Sequence, residues 1–251
     1  MFRPVVVIPV FNHERHVPTL VDVLRSMSLP CIVVDDGSAP SCAATLDRVA
    51  ATHPADVTLL RHPENQGKGG AVLSGIVAAQ AAGFTHVMQI DADGQHTVED
   101  VPRLIALAAA HPDALVTGQP QFDDSVPRVR LYLRYLTHIM VSVNTLTFSL
   151  RDAMCGFRVY PVAAMMALMR RVHLGRRMDF DIEVLVRLDW ARVPIVLMPT
   201  RVRYPLDGVS HFRLVADNAR ITSMHTRLFF GMLPRAPRLL RQRNRTIRAA
   251  A

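Results

Sequence analysis

Short apolar runs alternate with amphipathic ones along the chain. Residues 4–11, PVVVIPVF, form a β-branched run of strand length, bounded by Pro and Asn. From Val17 to Met27, the residues Leu20, Val23, Leu24 and Met27 recur on one helical face. CIVVDDGS (31–38) predicts a buried strand ending in carboxylates, 43–51 a helix, and VTLLRH (57–62) a third strand. ENQGKGGAVLSGIVAAQAAG (64–83) predicts a Gly-rich turn and a small-residue helix closing on Gly83. HVMQIDADG (86–94) follows as a fourth strand, 98–111 as a helix with Glu99 and Asp100 in its first turn, and ALVTGQ (114–119) as a fifth strand.

Beyond residue 125 the pattern changes. Residues 128–150 predict one long helix rich in Leu, Met and Tyr, with Arg128, Arg130 and Arg134 near its start. RDAMCGFRVY (151–160) predicts a loop and strand, 178–191 a helix with Glu183 inside its apolar pattern, and 194–205 a last strand. Alternation of strand and helix predicts an α/β fold: a Rossmann-like, doubly wound, mostly parallel sheet. Unbroken apolar strands such as VVVI predict burial on both faces. Ligands of such sheets bind beyond the carboxyl ends of the strands. Asn12–His13–Glu14, Asp35–Asp36 and Asp91–Asp93 all fall at predicted strand ends, so three strands bring oxygen ligands to one rim.

Length and composition narrow this further. At 251 residues, half of them apolar, the chain affords a sizeable core. No run approaches the roughly eighteen uncharged apolar residues of a membrane span, and the N-terminal residues lack the pattern of a signal peptide. Three cysteines without metal-ligand spacing point to reduced thiols in a cytoplasm. The net charge of +8 suggests nucleic acid until it is located: residues 220–251 hold eight arginines and no Asp or Glu. A basic tail with interleaved apolar residues fits anionic lipid head groups better than bases, so no nucleic-acid partner is expected. Two units follow, an α/β domain over 1–215 and a basic amphipathic C-terminal extension over 216–251, predicted to sit on the inner face of the cytoplasmic membrane.

The turn after the fourth strand carries the chemistry. Asp91, Asp93 and Gln95 alternate with small residues, and two carboxylates so close repel unless a hard divalent cation joins them. Mg²⁺ commonly takes one or two carboxylates together with substrate phosphates. A phosphatase whose aspartate acts as nucleophile from a D-x-D motif would place that motif on its first strand; here two strand–helix units precede it. A Walker-type phosphate loop is excluded by spacing.

VVVIPVFN, VVDDGS, NQGKGGAV, DADGQH, DAMCGFR, DFDIE and GVSH occur in this order. Together, over roughly residues 3–215, they resemble the inverting glycosyltransferases of family 2 with the GT-A fold, closest to the polyprenyl-phosphate sugar transferases. The resemblance implies transfer of a sugar from a UDP- or GDP-linked donor to a lipid-linked or polyprenyl-phosphate-like acceptor, with Mg²⁺ or Mn²⁺. It places Pro9, Phe11, Asn12 and Glu14 along the nucleotide, and Val34 and Asp36 against base and ribose. Asp91 and Ala92 approach ribose and diphosphate, and Asp91, Asp93 and Gln95, joined by His211, form the metal set. Lys68 and Arg134 meet phosphate charge, and Asp93, Arg158 and Asp152 act at the reacting centre. The chain departs from the pattern where His13 stands for the usual Glu, where GQPQF lacks an arginine, and at Tyr204 to Asp207. The alternatives are a hydroxyl acceptor, which needs a carboxylate base among Asp152, Asp179, Asp181 and Glu183 with Asp152 first, or a relative that binds a sugar nucleotide without turnover.

Overall fold

A computed structural model describes residues 1–121, 128–150, 152–201, 213–241 and 246–249. Its centre is an eight-stranded sheet built from β1 (Pro4–Val10), β2 (Cys31–Asp35), β3 (Val57–Arg61), β4 (His86–Gln89), β5 (Leu115–Gln121), β6 (Arg158–Pro161), β7 (Ile195–Arg201) and β8 (Thr246–Arg248). The order across the sheet is β3-β2-β1-β4-β6-β5-β7-β8. All pairs are parallel except those of β6, which runs antiparallel to both β4 and β5.

The side-chain period of two explains why the first strand is apolar throughout. Val5 and Val7 enter one core, with Ile32 and Val34, under α3 (Lys68–Ala81), α6 (Val162–Met169), α7 (Phe180–Trp190) and α8 (Leu214–Met232). Val6 and Ile8 enter the other, with Cys31 and Val33, under α1 (Val17–Ser26), α2 (Pro40–Thr52) and α4 (Val101–Ala110). Pro40 opens α2 at a position where its missing N–H costs nothing. Gly75 of α3 lies so close to β1 that a Cβ there would meet Val7 Cγ1 at 2.4 Å, which accounts for the small-residue helix.

Several elements differ from the sequence pattern. α5 (Arg128–Thr145) stops five residues short of the predicted end, and Leu146 turns the chain with φ 53°. α6 was not marked by any period, since VAAMMALM is apolar all round. The C-terminal residues pack into the fold: Ile221, Met224, Leu228 and Met232 of α8, and Leu239 of α9 (Ala236–Arg241), join the core beneath α7, and β8 extends the sheet beside β7.

Burial raises the carboxyl of Asp189, late in α7, from 3.8 to about 6. Its folded value lies above its unfolded one, so its penalty is absent below about pH 4 and grows as pH rises to about 6. Asp189→Asn is therefore expected to stabilise the protein at pH 7.5 by on the order of 2 kcal/mol, and to be neutral near pH 4. Urea melts at the two pH values check this; a gain of equal size at both would contradict it.

Candidate active site

Three strand ends meet at one rim. β1 delivers Pro9 and the residues after it, β2 delivers Asp36, and β4 is followed by Asp91–Gln95. They border a cavity of about 1480 Å³. Its polar end is lined by Phe11, His13, Lys68, Asp91, Asp93, Gln95 and Arg177. From there it continues between α5 and α8, past Leu136, Met140, Asn144, Ile221, His225 and Phe229.

Beneath the polar end runs a chain of buried charges. Lys68 Nζ lies 2.7 Å from Asp91 Oδ2 and 2.8 Å from Asp181 Oδ2. Burial works against the ammonium, but Asp181 and Asp91 outweigh it and hold Lys68 above its ordinary range. Burial likewise opposes ionisation of Asp91, and Lys68, then His96, reverse that and hold its carboxyl below the usual range. Asp181 Oδ1 accepts from Gln89 Nε2 at 3.1 Å, and Gln89 Oε1 accepts from Tyr160 OH at 2.9 Å. Gly156 makes room for this contact: a Cβ there would stand 2.4 Å from Asp91 Oδ2 and 2.5 Å from Lys68 Nζ.

This arrangement leaves Asp91 Oδ1 buried and without a hydrogen-bond partner among the described residues. Asp93, whose Oδ1 accepts from the Gln95 N–H at 3.0 Å, has its carboxyl raised, first by burial and then by the Asp91 charge. An orphaned carboxylate oxygen beside a second carboxylate under repulsion is a donor set suited to a hard divalent cation. Among the described residues no three His, Cys, Asp or Glu side chains form a ready-made cage, which suits an ion whose other ligands are substrate phosphates and water. His211 lies outside the described residues.

Several residues expected at the site serve it from behind. Val34 is fully buried between β1 and α3, with no surface to offer a base. Asn12, at φ 56°, ties two loops together: its N–H donates to Ser38 Oγ and its Oδ1 accepts from the Ala39 N–H. Glu14 is half-buried outside the cavity wall, where His13 stands instead. Arg158 is completely buried and donates to the carbonyls of Asp181 at 2.6 Å and Ala153 at 2.8 Å, which ties Ala153 to α7. Asp152 is buried as well. Its Oδ1 accepts from the N–H groups of Met154 and Cys155, and its Oδ2 from Arg134 Nε at 2.7 Å. It aims Arg134, which lines the cavity, and both its oxygens are engaged.

The Gly-rich loop is held by a carboxylate of the chain itself. Asp36 Oδ1 accepts from the Gln66 N–H at 2.9 Å and Oδ2 from the Gly67 N–H at 2.8 Å, while His62 Nδ1 lies 2.7 Å from Oδ1. The chain's own carboxylate thus occupies these two N–H groups. Gly67 has φ 93°, and a Cβ there would meet the Arg176 carbonyl at 2.5 Å. That close approach docks the 170–179 loop on the Gly-rich loop. Arg177 gains its place from it, donating to the Asn65 side-chain and main-chain oxygens at 3.0 and 3.3 Å. Tied only to neutral oxygens by these bonds, Arg177 brings positive charge to the cavity wall. Its segment, RRM, carries no pattern that distinguishes it from a surface basic pair.

Comparison with known proteins agrees with the geometry. The family model for glycosyl transferase family 2 matches residues 5–176. Dolichyl-phosphate beta-glucosyltransferase of Dictyostelium discoideum is 25% identical over 211 residues, covering 76% of this chain and 63% of that protein. Polyprenol monophosphomannose synthase of Mycolicibacterium smegmatis is 29% identical over 163 residues, covering 63% of this chain and 61% of that protein. The match therefore spans about three-fifths of the length of these relatives. Among solved structures, glucosyl-3-phosphoglycerate synthase from Mycobacterium tuberculosis superposes with a TM-score of 0.65 at 16% identity, over 93% of this chain and 80% of that one, a likeness of fold.

Proposed function

The chain belongs to glycosyl transferase family 2, and from that premise we propose that it transfers a sugar, with inversion, from a nucleoside diphosphate sugar to a lipid acceptor of the polyprenyl-phosphate type. The observation that carries the reading is the orphaned Asp91 Oδ1 beside Asp93, at the polar end of a cavity that continues as an apolar groove. Asp91 Oδ1 and the Asp93 carboxylate would hold Mg²⁺ or Mn²⁺, which when bound supplies positive charge against the diphosphate leaving group.

The other roles belong to the chain's own side chains. Lys68 pins Asp91 through Oδ2, which leaves Oδ1 without a partner among the described residues. Pro9, Phe11 and His13 wall the nucleoside end. Arg177 and Arg134 bring cationic charge to phosphate oxygens, Arg134 being aimed by Asp152. Asp152, Asp179, Asp181 and Glu183 all lie outside the cavity wall, held by N–H groups or cations of the fold. A phosphate acceptor arrives ionised and needs no general base, so their removal from the site favours a lipid phosphate over a lipid hydroxyl.

The groove and its surroundings support a site facing a membrane. No helix among the described residues is long and apolar enough to cross one. Tyr135, Leu136 and Ile139 of α5 and Phe229, Phe230, Leu233 and Leu240 at the end of α8 and beyond are nonetheless exposed. Arg227, Arg235, Arg238 and Arg241 stand among the latter group. That pairing of apolar and cationic side chains fits an anionic lipid surface.

The test uses the whole protein. UDP, GDP or one of their sugars with Mn²⁺ is expected to raise the melting temperature, since a ligand of the folded state stabilises it by mass action. Flotation with anionic vesicles reads the surface. Absence of any shift with every nucleotide would sink the donor half, and flotation no better than with zwitterionic vesicles would sink the membrane half.

A further inference from the structure

Behind the acidic turn stands a third carboxylate, fixed away from the cavity wall. Asp181, in the first turn of α7, is buried and does not line the cavity. Its Oδ1 is held by Gln89 Nε2 at 3.1 Å, and Gln89 in turn by the Tyr160 hydroxyl at 2.9 Å. Its Oδ2 lies 2.8 Å from Lys68 Nζ. The same ammonium lies 2.7 Å from Oδ2 of Asp91, which does line the cavity. Lys68 is therefore shared between a carboxylate at the cavity and one behind it.

The formal charges of this group decide what it can receive. Asp91 and Asp93 of the cavity wall are matched by two cations, Lys68 and the fully buried Arg158, which stands 4.0 Å from Asp181 Oδ1. Those four residues alone are neutral, and Asp181 makes the set negative by one charge. A proton on His96, whose Nε2 lies 3.7 Å from Asp91 Oδ2, would add only to the positive side. Arg134 is matched by Asp152, and Arg177 is held on Asn65, apart from this set.

A divalent ion entering a neutral set would leave two positive charges uncompensated where solvation is poor, which is costly. Entering a set that is already negative, it leaves one, and a diphosphate then offsets that. Salt screens buried charges only weakly. Charges several ångströms apart therefore still exchange an energy worth roughly a factor of ten in affinity. Because Gln89 fixes the Asp181 carboxylate, its charge acts from a set distance and through Lys68.

We propose that Asp181 is a positioning residue for the divalent cation: from behind the wall it balances Lys68, and so leaves Asp91 and Asp93 with the charge that Mg²⁺ or Mn²⁺ needs. The inference rests on the sugar-transfer reading and adds to it a residue that touches neither ion nor substrate. Without Asp181, Lys68 neutralises Asp91 alone. Removing Lys68 as well restores the charge of the set, so the two losses cancel in metal binding. Damage to the fold would accumulate instead.

Mn²⁺ binding to the whole protein is read from the electron paramagnetic resonance of the free ion, with and without UDP or GDP. Circular dichroism melts on the same samples establish that each variant is folded. Asp181→Asn is expected to weaken Mn²⁺ binding about tenfold. The double variant Lys68→Met/Asp181→Asn is expected to return to within about threefold of the parent. Lys68→Met alone is expected to bind more tightly than the parent; since that variant loses stability, the double variant carries the test. Mn²⁺ held by Asp181→Asn as tightly as by the parent, or a double variant as weak as Asp181→Asn, would overturn the proposal. Asp93→Ala separates the two failures: if it abolishes binding while Asp181→Asn leaves it intact, the metal site stands and only the role of Asp181 falls. A parent that binds no Mn²⁺ with either nucleotide would take down both.

Discussion

Lys68→Met is expected to cost about 3–5 kcal/mol of folding stability, the range found when one partner of a buried ion pair is removed. The ammonium is within 2.8 Å of carboxylate oxygens from two separate elements, and its side chain is 16% exposed. Methionine fills similar space but takes away the ammonium that bridges Asp91 and Asp181, leaving Asp181 only the Arg158 guanidinium at 4.0 Å. Gly156 closes one side of the pair, where a Cβ would stand 2.5 Å from Lys68 Nζ. Urea denaturation measures the loss. Adding Asp181→Asn to the variant should recover part of it, because one of the two stranded charges is then gone. A Lys68→Met protein within about 0.5 kcal/mol of the parent, the range typical of surface changes, would show that the lysine is peripheral.

Asp93→Ala is expected to lower sugar release from the nucleotide donor by roughly 10²- to 10³-fold, as loss of several kcal/mol of charge stabilisation implies. Stability should move the other way. Asp93 is disfavoured in its charged form by burial and by Asp91, so deleting it removes a repulsion, and the melting temperature should stay level or rise. That opposition of signs identifies a residue kept for its ligand and not for the fold. Assay of donor hydrolysis with Mn²⁺, beside thermal melts, reads both. Activity retained to within a few-fold, or activity lost together with the fold, would refute the role.

The sequence made some of this visible and hid the rest for physical reasons. Strands β1, β2 and β4 were legible because burial on both faces demands unbroken apolar runs, and their carboxylate ends stand out against them. Asp91 and Asp93 stand out as a carboxylate pair at a strand end for the same reason. The partnership of Lys68 with Asp181 was hidden, since it joins the start of α3 to α7 across 113 positions. The antiparallel placement of β6 between β4 and β5 depends on how a long excursion returns, which no local period records. Asp152 and Arg158 lie in the expected segment. Which way each points is set by main-chain partners: Asp152 accepts from the Met154 and Cys155 N–H groups, and Arg158 donates to the Asp181 and Ala153 carbonyls. β8 is three residues long among arginines, and its strand character comes from a neighbour, not from its composition.

That last strand has a consequence for the sheet as a whole. Thr246–Arg248 pair with Ile195–Leu197, and the Ala249 N–H adds a bond to the Leu197 carbonyl at 3.0 Å. Without these residues β7 would present unpaired main-chain groups along a flat apolar stretch, the template on which edge-to-edge aggregation grows. The arginine-rich end of the chain is therefore also a seam-closer. Shortening it for crystallisation, or fusing a tag in its place, trades away protection against self-association.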